Sequence, residues 1–251
     1  MENTTLRNNP LRLGHFTSSK IVALMSNGKA KDTFGKPFYT YLKSRQREIK
    51  LGLPMEVETN TRPLTWGKLA EKRAFNLLGF EYSLSSQETI EHPELKYWSD
   101  TSDGLKFKDT SDKTVVEIKC PQTRNSFCDL VECTSIDEVR ENHEDGEKFY
   151  WQCVSHGVLH DTNKVELIVY MPYKEELQAI KDMIHNPAYI SDKEAKHYYW
   201  IDSADEEELP YILNNGKYKN LNIIRFEIPQ GDKDALIQRV TIASEMLNKA
   251  V

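Results

Sequence analysis

The segment Thr114-Val115-Val116-Glu117-Ile118-Lys119-Cys120-Pro121 sets a carboxylate and an ammonium two residues apart inside an apolar run. Alternate side chains of a strand share a face. Val116, Ile118 and Cys120 then point toward the expected core, and Val115, Glu117 and Lys119 toward the other side. Charged groups on a strand this apolar are costly unless they are paired or bound to metal. Upstream stands Ser102-Asp103-Gly104-Leu105, where the glycine permits a tight turn into a following strand. If the two strands form a hairpin, Asp103 and Glu117 converge at one end of it. Two carboxylates there make a hard oxygen site suited to Mg²⁺. Such an ion serves phosphodiester hydrolysis by activating water and stabilising the leaving oxygen. Lys119 would orient the attacking water or neutralise charge growing on the phosphate. The bare pattern D…E-x-K is unspecific, because a surface hairpin with an ordinary Glu–Lys pair carries the same letters.

These residues need elements to hold them. A short helix is expected over residues 17–25, with Thr17, Ser18 or Ser19 as N-cap. A second is expected over 37–51, with Pro37 in its first turn. A third is expected over 65–78, where Trp66, Leu69, Ala70, Ala74, Leu77 and Leu78 recur at helical spacing and Gly79 can end the run. Glu71 flanks that apolar stripe and can point along its edge. Strands are expected over 82–90, around Trp98, over 105–108 and over 115–120, with a polar loop at 108–113. A mostly buried helix over 149–159 precedes an apolar strand over 165–170. The remainder alternates helix with loop and closes on an amphipathic helix over 232–249. This order predicts an α/β fold with a mixed central sheet flanked by helices. No linker or repeat divides the 251 residues, so they read as one domain.

Hydrophobic residues make up 39% and charged residues 29% of the chain, a globular balance. No apolar run reaches the roughly 18 residues that span a membrane, so no membrane role is expected. Residues 1–10 are polar and lack an apolar signal core, which points to the cytoplasm. Cys120, Cys128, Cys133 and Cys153 form no C-x-x-C pair and read as reduced core residues. The net charge of -6 hides an asymmetry: residues 1–80 hold 14 Lys and Arg against 6 Asp and Glu. Binding follows the local field, so that basic third could face phosphates.

Other polar clusters take plainer readings. The acidic run 205–208 reads as a solvated helix start. His143 and Glu144 read as loop residues. His156 and His160, four residues apart, read as core-edge residues, since no H-E-x-x-H is present. Tyr198, Tyr199 and Trp200 read as packing residues.

Five segments, in order, resemble motifs of the PD-(D/E)XK nucleases, and within them the lambda-exonuclease (YqaJ-type) phage recombination exonucleases. Arg12-x-Gly14-x-x-Thr17-Ser18-Ser19 resembles the N-terminal motif. Trp66-Gly67-Lys68-Leu69-Ala70-Glu71 resembles W-G-x-x-x-E. Thr101-Ser102-Asp103-Gly104-Leu105 resembles S-P-D-G-L, and Glu117-Ile118-Lys119-Cys120-Pro121 matches E-x-K-C-P. Tyr150-Trp151-Gln152 falls on the family's Tyr-rich helix with its glutamine. The motifs span residues 12 to about 170, leaving 171–251 as a C-terminal helical elaboration.

The resemblance implies a restriction-endonuclease-like core and a nuclease using Mg²⁺, with Mn²⁺ as a possible substitute. It implies digestion of one strand of linear duplex DNA from its 5′ end. Asp103, Glu117 and the backbone carbonyl of Ile118 would be metal ligands, Glu71 would reach the ion through a water, Lys119 would activate the nucleophile, and Gln152 would brace it or Lys119. Arg12, Ser19 and Thr101 match positions that grip a terminal 5′-phosphate; an Arg fork suits phosphate oxygens. Leu64 falls at a strand-separating wedge, and Lys29 and Arg62 at looser backbone contacts. The resemblance further implies a homotrimer around DNA, a single-strand annealing protein as partner and a bacterial or phage-infected cell. Ser102 stands where the family has proline, and Thr101 where it has serine, which leaves the rigidity of the turn open. Two alternatives remain at this point: another nuclease of the same fold, such as a restriction-type or RecB-like enzyme, and a non-enzymatic DNA-end-binding scaffold.

Overall fold

The computed structural model describes residues 11–30, 33–55, 60–85 and 88–250; the stretch 1–10 lies outside them. The apolar run around Glu117 becomes strand β5 (Thr114–Lys119), and every residue of it but Lys119 is buried. It pairs antiparallel with β4 (Gly104–Lys106), in the hairpin expected from Asp103-Gly104, with Gly104 opposite Val116. It also pairs parallel with β6 (Lys164–Tyr170), Glu117 opposite Leu167. With β1 (Tyr82–Leu84) and β7 (Leu221–Glu227) at the edges, the sheet runs β1-β4-β5-β6-β7. A parallel β5–β6 pair requires a crossover. It is made by α3 (Arg124–Val131), α4 (Ile136–Asn142) and α5 (Gly146–Leu159).

The strands alternate between two cores. Val165, Leu167 and Val169 of β6 join Phe16, Leu24, Trp98, Phe127, Tyr150 and Val154 on one face. Val116 and Ile118 of β5 join Ile168 and Tyr170, with Trp66, Leu69, Ala70 and Ala74 of α2 (Arg62–Asn76), on the other. Glu117 and Lys119 therefore face the side covered by α5. The first core also takes in the 3₁₀ helix Ser18–Met25 and α1 (Lys36–Leu51). The second is closed by α6 (Leu177–Ile184), α7 (Asp192–Ala195) and α8 (Tyr199–Ser203).

Several expected elements differ. The helix over 17–25 is a 3₁₀ helix; Thr17 is its N-cap but its side chain makes no capping bond. The strand expected over 82–90 splits: β1 joins the main sheet, while β2 (Ile90–Glu91) pairs with β3 (Ser99–Asp100) in a separate ribbon. The third helix ends at Asn76 with Leu77 as C-cap, ahead of Gly79. The segment after residue 170 is less helical than expected, because Leu221–Glu227 is an edge strand of the main sheet. The last helix, α9 (Gln230–Ala250), sends Leu236, Val240, Ala243 and Leu247 into the first core. Those spacings of three and four residues are one helix face. Among the described residues no helix is long and apolar enough to cross a membrane.

Candidate active site

Asp103 ends the turn immediately before β4, so the hairpin register sets it beside Glu117 at the exit of β5. Its Oδ2 accepts the backbone N–H of Ile118 at 2.7 Å. Gly104 has no positive φ. Its glycine is required for another reason: a Cβ there would lie 2.8 Å from Cε2 of Phe75. Phe75 is one turn beyond Glu71 on α2, so that close approach brings Glu71 to the same end of the hairpin. Glu71 interacts with both Asp103 and Glu117.

Helix α5 supplies the opposite wall. Gln152 Nε2 donates to Glu117 Oε1 at 2.6 Å, and Lys119 Nζ donates to the same oxygen at 2.5 Å. Lys119 also donates to Gln152 Oε1 at 3.2 Å and lies 4.8 Å from the ring centre of Phe149. The amide thus fixes carboxylate and ammonium at once. Glu117 is 2% exposed. Its second oxygen, Oε2, lies 2.9 Å from His156 Nε2. His156 is itself 1% exposed, and its Nδ1 is in ion-pair contact with Asp100 Oδ2 at 2.5 Å. Those two atoms are not aligned as a hydrogen bond.

Three carboxylates in one partly closed space repel one another. Burial, then the charges of Glu117 and Glu71, push Asp103 well above the usual carboxylate range. Burial and Glu117 push Glu71 up to about 7. Glu117 moves the other way: burial would raise it, but Lys119 and the bond from His156 hold it below its ordinary value. Burial would lower Lys119, yet Glu117 and Asp103 outweigh that and keep it charged. Burial would also lower His156, but Asp100 and Glu117 raise it to about 10. Asp100, despite burial, is held at about 2 by His156 and Arg12.

A surplus of buried oxygen ligands with raised carboxyl groups is the environment a divalent cation relieves, so the donor set fits Mg²⁺. Among the described residues no group of three or more His, Cys, Asp or Glu side chains is arranged around a common metal position. The expected set of two carboxylates and the Ile118 carbonyl needs no third side chain.

Arg12 links the phosphate-pocket candidates: it bonds Thr101 and shares a cleft with Ser19, while Thr101 does not line that cleft. Arg12 Nη1 donates to Thr101 Oγ1 at 3.1 Å, and Thr101 Oγ1 lies 2.9 Å from Thr89 Oγ1. Arg12 and Ser19 share the lining of a cleft of about 100 Å³ with Thr17, Lys20 and Arg45. The turn holding Arg12 passes through Gly14 at φ 73°, and the Gly14 N–H donates to Glu48 Oε2 at 3.1 Å. Glu48 is also paired with Arg45 at 2.9 Å.

No protein-family model matches the chain, and no curated protein matches it in sequence. Solved structures do match in three dimensions. The alkaline exonuclease LHK-Exo from Laribacter hongkongensis superposes with a TM-score of 0.57 at 15% identity, over 95% of this chain and 90% of that one. LHK-Exo in complex with dAMP gives 0.56 at 15% identity over the same shares. A phage-related exonuclease from Haemophilus somnus 129PT gives 0.59 at 13% identity over 94% of each chain. The chain has the restriction-endonuclease-like fold of these exonucleases. That agrees with the family its motifs resemble.

Within this fold the remaining candidates separate. Leu64 is 45% exposed on the first turn of α2, so it is not packed beneath Trp66. Lys29 is exposed, whereas Arg62 lies 5.2 Å from the ring centre of Trp200. Trp200 in turn donates to Thr65 Oγ1 at 2.8 Å, which fits its reading as a packing residue. Tyr198 is buried, but Tyr199 is exposed. The acidic run forms the 3₁₀ turn Glu206–Glu208, with Glu206 and Glu207 paired to Lys174. His143 caps α4 and lies 2.9 Å from Ser126 Oγ. The four cysteines are free, and burial pushes the Cys120 and Cys153 thiols well up.

His156 corrects the core-edge reading. It belongs to the site, and the signal was present: it follows Gln152 by four residues on one helix and so shares its face. His160 lies beyond that helix, 3.0 Å from Ser102 Oγ. Ser102 Oγ also lies 2.7 Å from Ser85 Oγ. The turn that lacks the family's proline is thus held by a buried hydroxyl lattice.

Proposed function

We propose that the chain is a Mg²⁺-dependent exonuclease on linear duplex DNA, running 5′ to 3′ from 5′-phosphorylated ends, with Mn²⁺ as a possible substitute. The observation that carries this reading is the convergence of Glu71, Asp103, Glu117, Lys119 and Gln152 at the end of one hairpin, beside the Arg12–Thr101 pair. The solved exonucleases of the same fold support it. The end-directed part rests on the cleft that holds Arg12 and Ser19. By family resemblance, the protein acts in phage-type recombination as a homotrimer with an annealing partner, in a bacterial or phage-infected cell.

Each side chain has a defined task in this reading. Asp103, Glu117 and the Ile118 carbonyl would hold the ion, and Glu71 would act on it through a water. When bound, Mg²⁺ supplies Lewis-acid polarisation at the scissile phosphate. Lys119 stays protonated and can only donate, so it steadies the attacking water and offsets charge on the phosphate. Gln152 keeps Lys119 and Glu117 in register. Arg12, Thr101 and Ser19 hold the terminal phosphate, Leu64 wedges the end open, and Lys29 and Arg62 contact the backbone.

The test uses linear duplex with or without a 5′-phosphate, and closed circular plasmid, in Mg²⁺ or EDTA. Loss of linear DNA alone is expected, in Mg²⁺ alone, faster with the 5′-phosphate and abolished by Lys119→Ala. Cleavage of the closed circle would instead make the protein an endonuclease. Tight end binding without cleavage would make it a scaffold.

A further inference from the structure

Between the terminal-phosphate cleft and Glu117 runs a polar path, half-buried at Arg12 and Thr101 and buried from Asp100 inward. It begins at Arg12, which bonds Thr101 at 3.1 Å. Thr101 follows Asp100 directly, at the end of β3. Asp100 Oδ1 accepts the backbone N–H of Ser18 at 3.2 Å, and Ser18 lies between Thr17 and Ser19, which line the cleft. Asp100 Oδ2 contacts His156 Nδ1 at 2.5 Å, and His156 Nε2 meets Glu117 Oε2 at 2.9 Å. A second link runs alongside: Ser18 Oγ donates to Ser155 Oγ at 2.6 Å, which also accepts Trp98 Nε1 at 3.0 Å. Ser18, Asp100, His156 and Glu117 are all no more than 3% exposed.

Two features make this path more than a brace. Water cannot absorb a displacement along its inner part, because Ser18, Asp100, His156 and Glu117 are sealed from solvent. Its charges also alternate: Arg12 cationic, Asp100 anionic, His156 with both ring nitrogens against carboxylates, Glu117 anionic. Charges this close in a low-dielectric interior feel one another strongly. Arg12 acts electrostatically on Asp100, so an anion engaging Arg12 would leave Asp100 less compensated, and Asp100 would then draw His156 away from Glu117 Oε2.

We propose that Asp100 and His156 are positioning residues that couple occupancy of the Arg12 cleft by a terminal phosphate to the alignment of Glu117. The proposal rests on the end-directed reading given above. It makes the 5′-phosphate a signal to the hydrolytic centre as well as a handle for binding.

The experiment measures kcat and KM on linear duplex with a 5′-phosphate or a 5′-hydroxyl, in Mg²⁺, for the parent, Asp100→Asn and His156→Gln. Thermal unfolding checks that each variant is folded. The parent is expected to favour phosphorylated ends in both kcat and KM. Both variants should lower the kcat ratio between the two ends roughly tenfold, or to one, the size usual for loss of a group that orients a metal-site residue. They should keep the KM ratio, because Arg12 is intact. Asp100→Asn removes the charge and keeps the shape; His156→Gln keeps a donor near Glu117 and cuts the link to Asp100, so either variant suffices if the other fails to fold. A brace without coupling would slow both substrates by the same factor and leave the kcat ratio unchanged; that result overturns the proposal and leaves the end-directed reading standing. A parent with no preference for phosphorylated ends overturns both.

Discussion

Burial and neighbouring charge push Asp103 and Glu71 toward keeping a proton at pH values where an exposed carboxyl is ionised, and that cost is measurable. Burial and Glu117 raise both, and Glu71 adds to the rise at Asp103. Replacing one such carboxyl with a neutral amide should therefore stabilise the metal-free fold while destroying the site, the trade seen where function holds strain. For Asp103→Asn we expect a metal-free thermal midpoint higher by about 2–4 °C, corresponding to roughly 1 kcal/mol. The parent should gain stability from added Mg²⁺, since a ligand bound only by the folded state shifts unfolding; the variant should not. A midpoint that drops in Asp103→Asn would mean the Ile118 N–H bond outweighs the repulsion. Asp103, Glu117 and Lys119 were legible in the sequence because strand alternation and the register of a short hairpin fix their geometry locally. Asp100 was not, since its partners Ser18 and His156 are 82 and 56 residues away in the chain and only the fold joins them.

At the level of elements, the site depends on how α5 meets α4 and on how the sheet holds its register. A Cβ on Gly146, the first residue of α5, would lie 2.0 Å from the Val139 carbonyl oxygen and 2.7 Å from Arg140 Cα. Both are backbone atoms of α4, so neither can swing aside. Gly146→Ala should cost roughly 1–3 kcal/mol, as overpacking does, and should lower kcat by displacing Gln152; thermal unfolding and steady-state kinetics measure both. The sheet carries its own polar device. Glu166 of β6 accepts from Tyr82 at 2.7 Å, Lys106 at 2.9 Å and Arg225 at 3.0 Å, tying four strands. Burial would raise Glu166, but these donors hold it below its ordinary value. A depressed folded-state value gives stability that is complete above the unfolded carboxylate value and lost as pH falls through the folded one. The parent should lose thermal stability across that acid window more steeply than Glu166→Gln; parallel slopes would remove Glu166 from the account. The long helices and β5 were readable from periodicity. The strand at 82–90 was misread because alternation cannot show that β1 and β2 join different ribbons, and β7 was missed because its pairing to β6 is set across more than fifty residues.

Taken as a whole, the molecule carries a net charge of -6, yet 14 of its 33 Lys and Arg fall within residues 1–80. That third supplies Arg12, Lys20 and Arg45 to the cleft, and Lys29 is exposed. Composition alone would argue against a polyanionic substrate; the local field argues for one, and the fold explains how both hold. The acidic remainder is partly spent inside the protein, on Asp100, Glu117 and Glu166, where it builds the site and the sheet and presents little charge outward. Duplex affinity should then fall steeply with salt, because each neutralised phosphate releases counterions at a log–log slope of about -0.9 per contact. Measured in EDTA, so that no turnover occurs, Lys29→Ala should weaken binding about equally for any sequence and reduce that slope by roughly one. The same substitution should leave the preference for 5′-phosphorylated ends intact, because Lys29 does not line the cleft that Arg12 occupies. An unchanged slope would take Lys29 out of the DNA path, and a lost end preference would mean that the cleft and the backbone track are one surface.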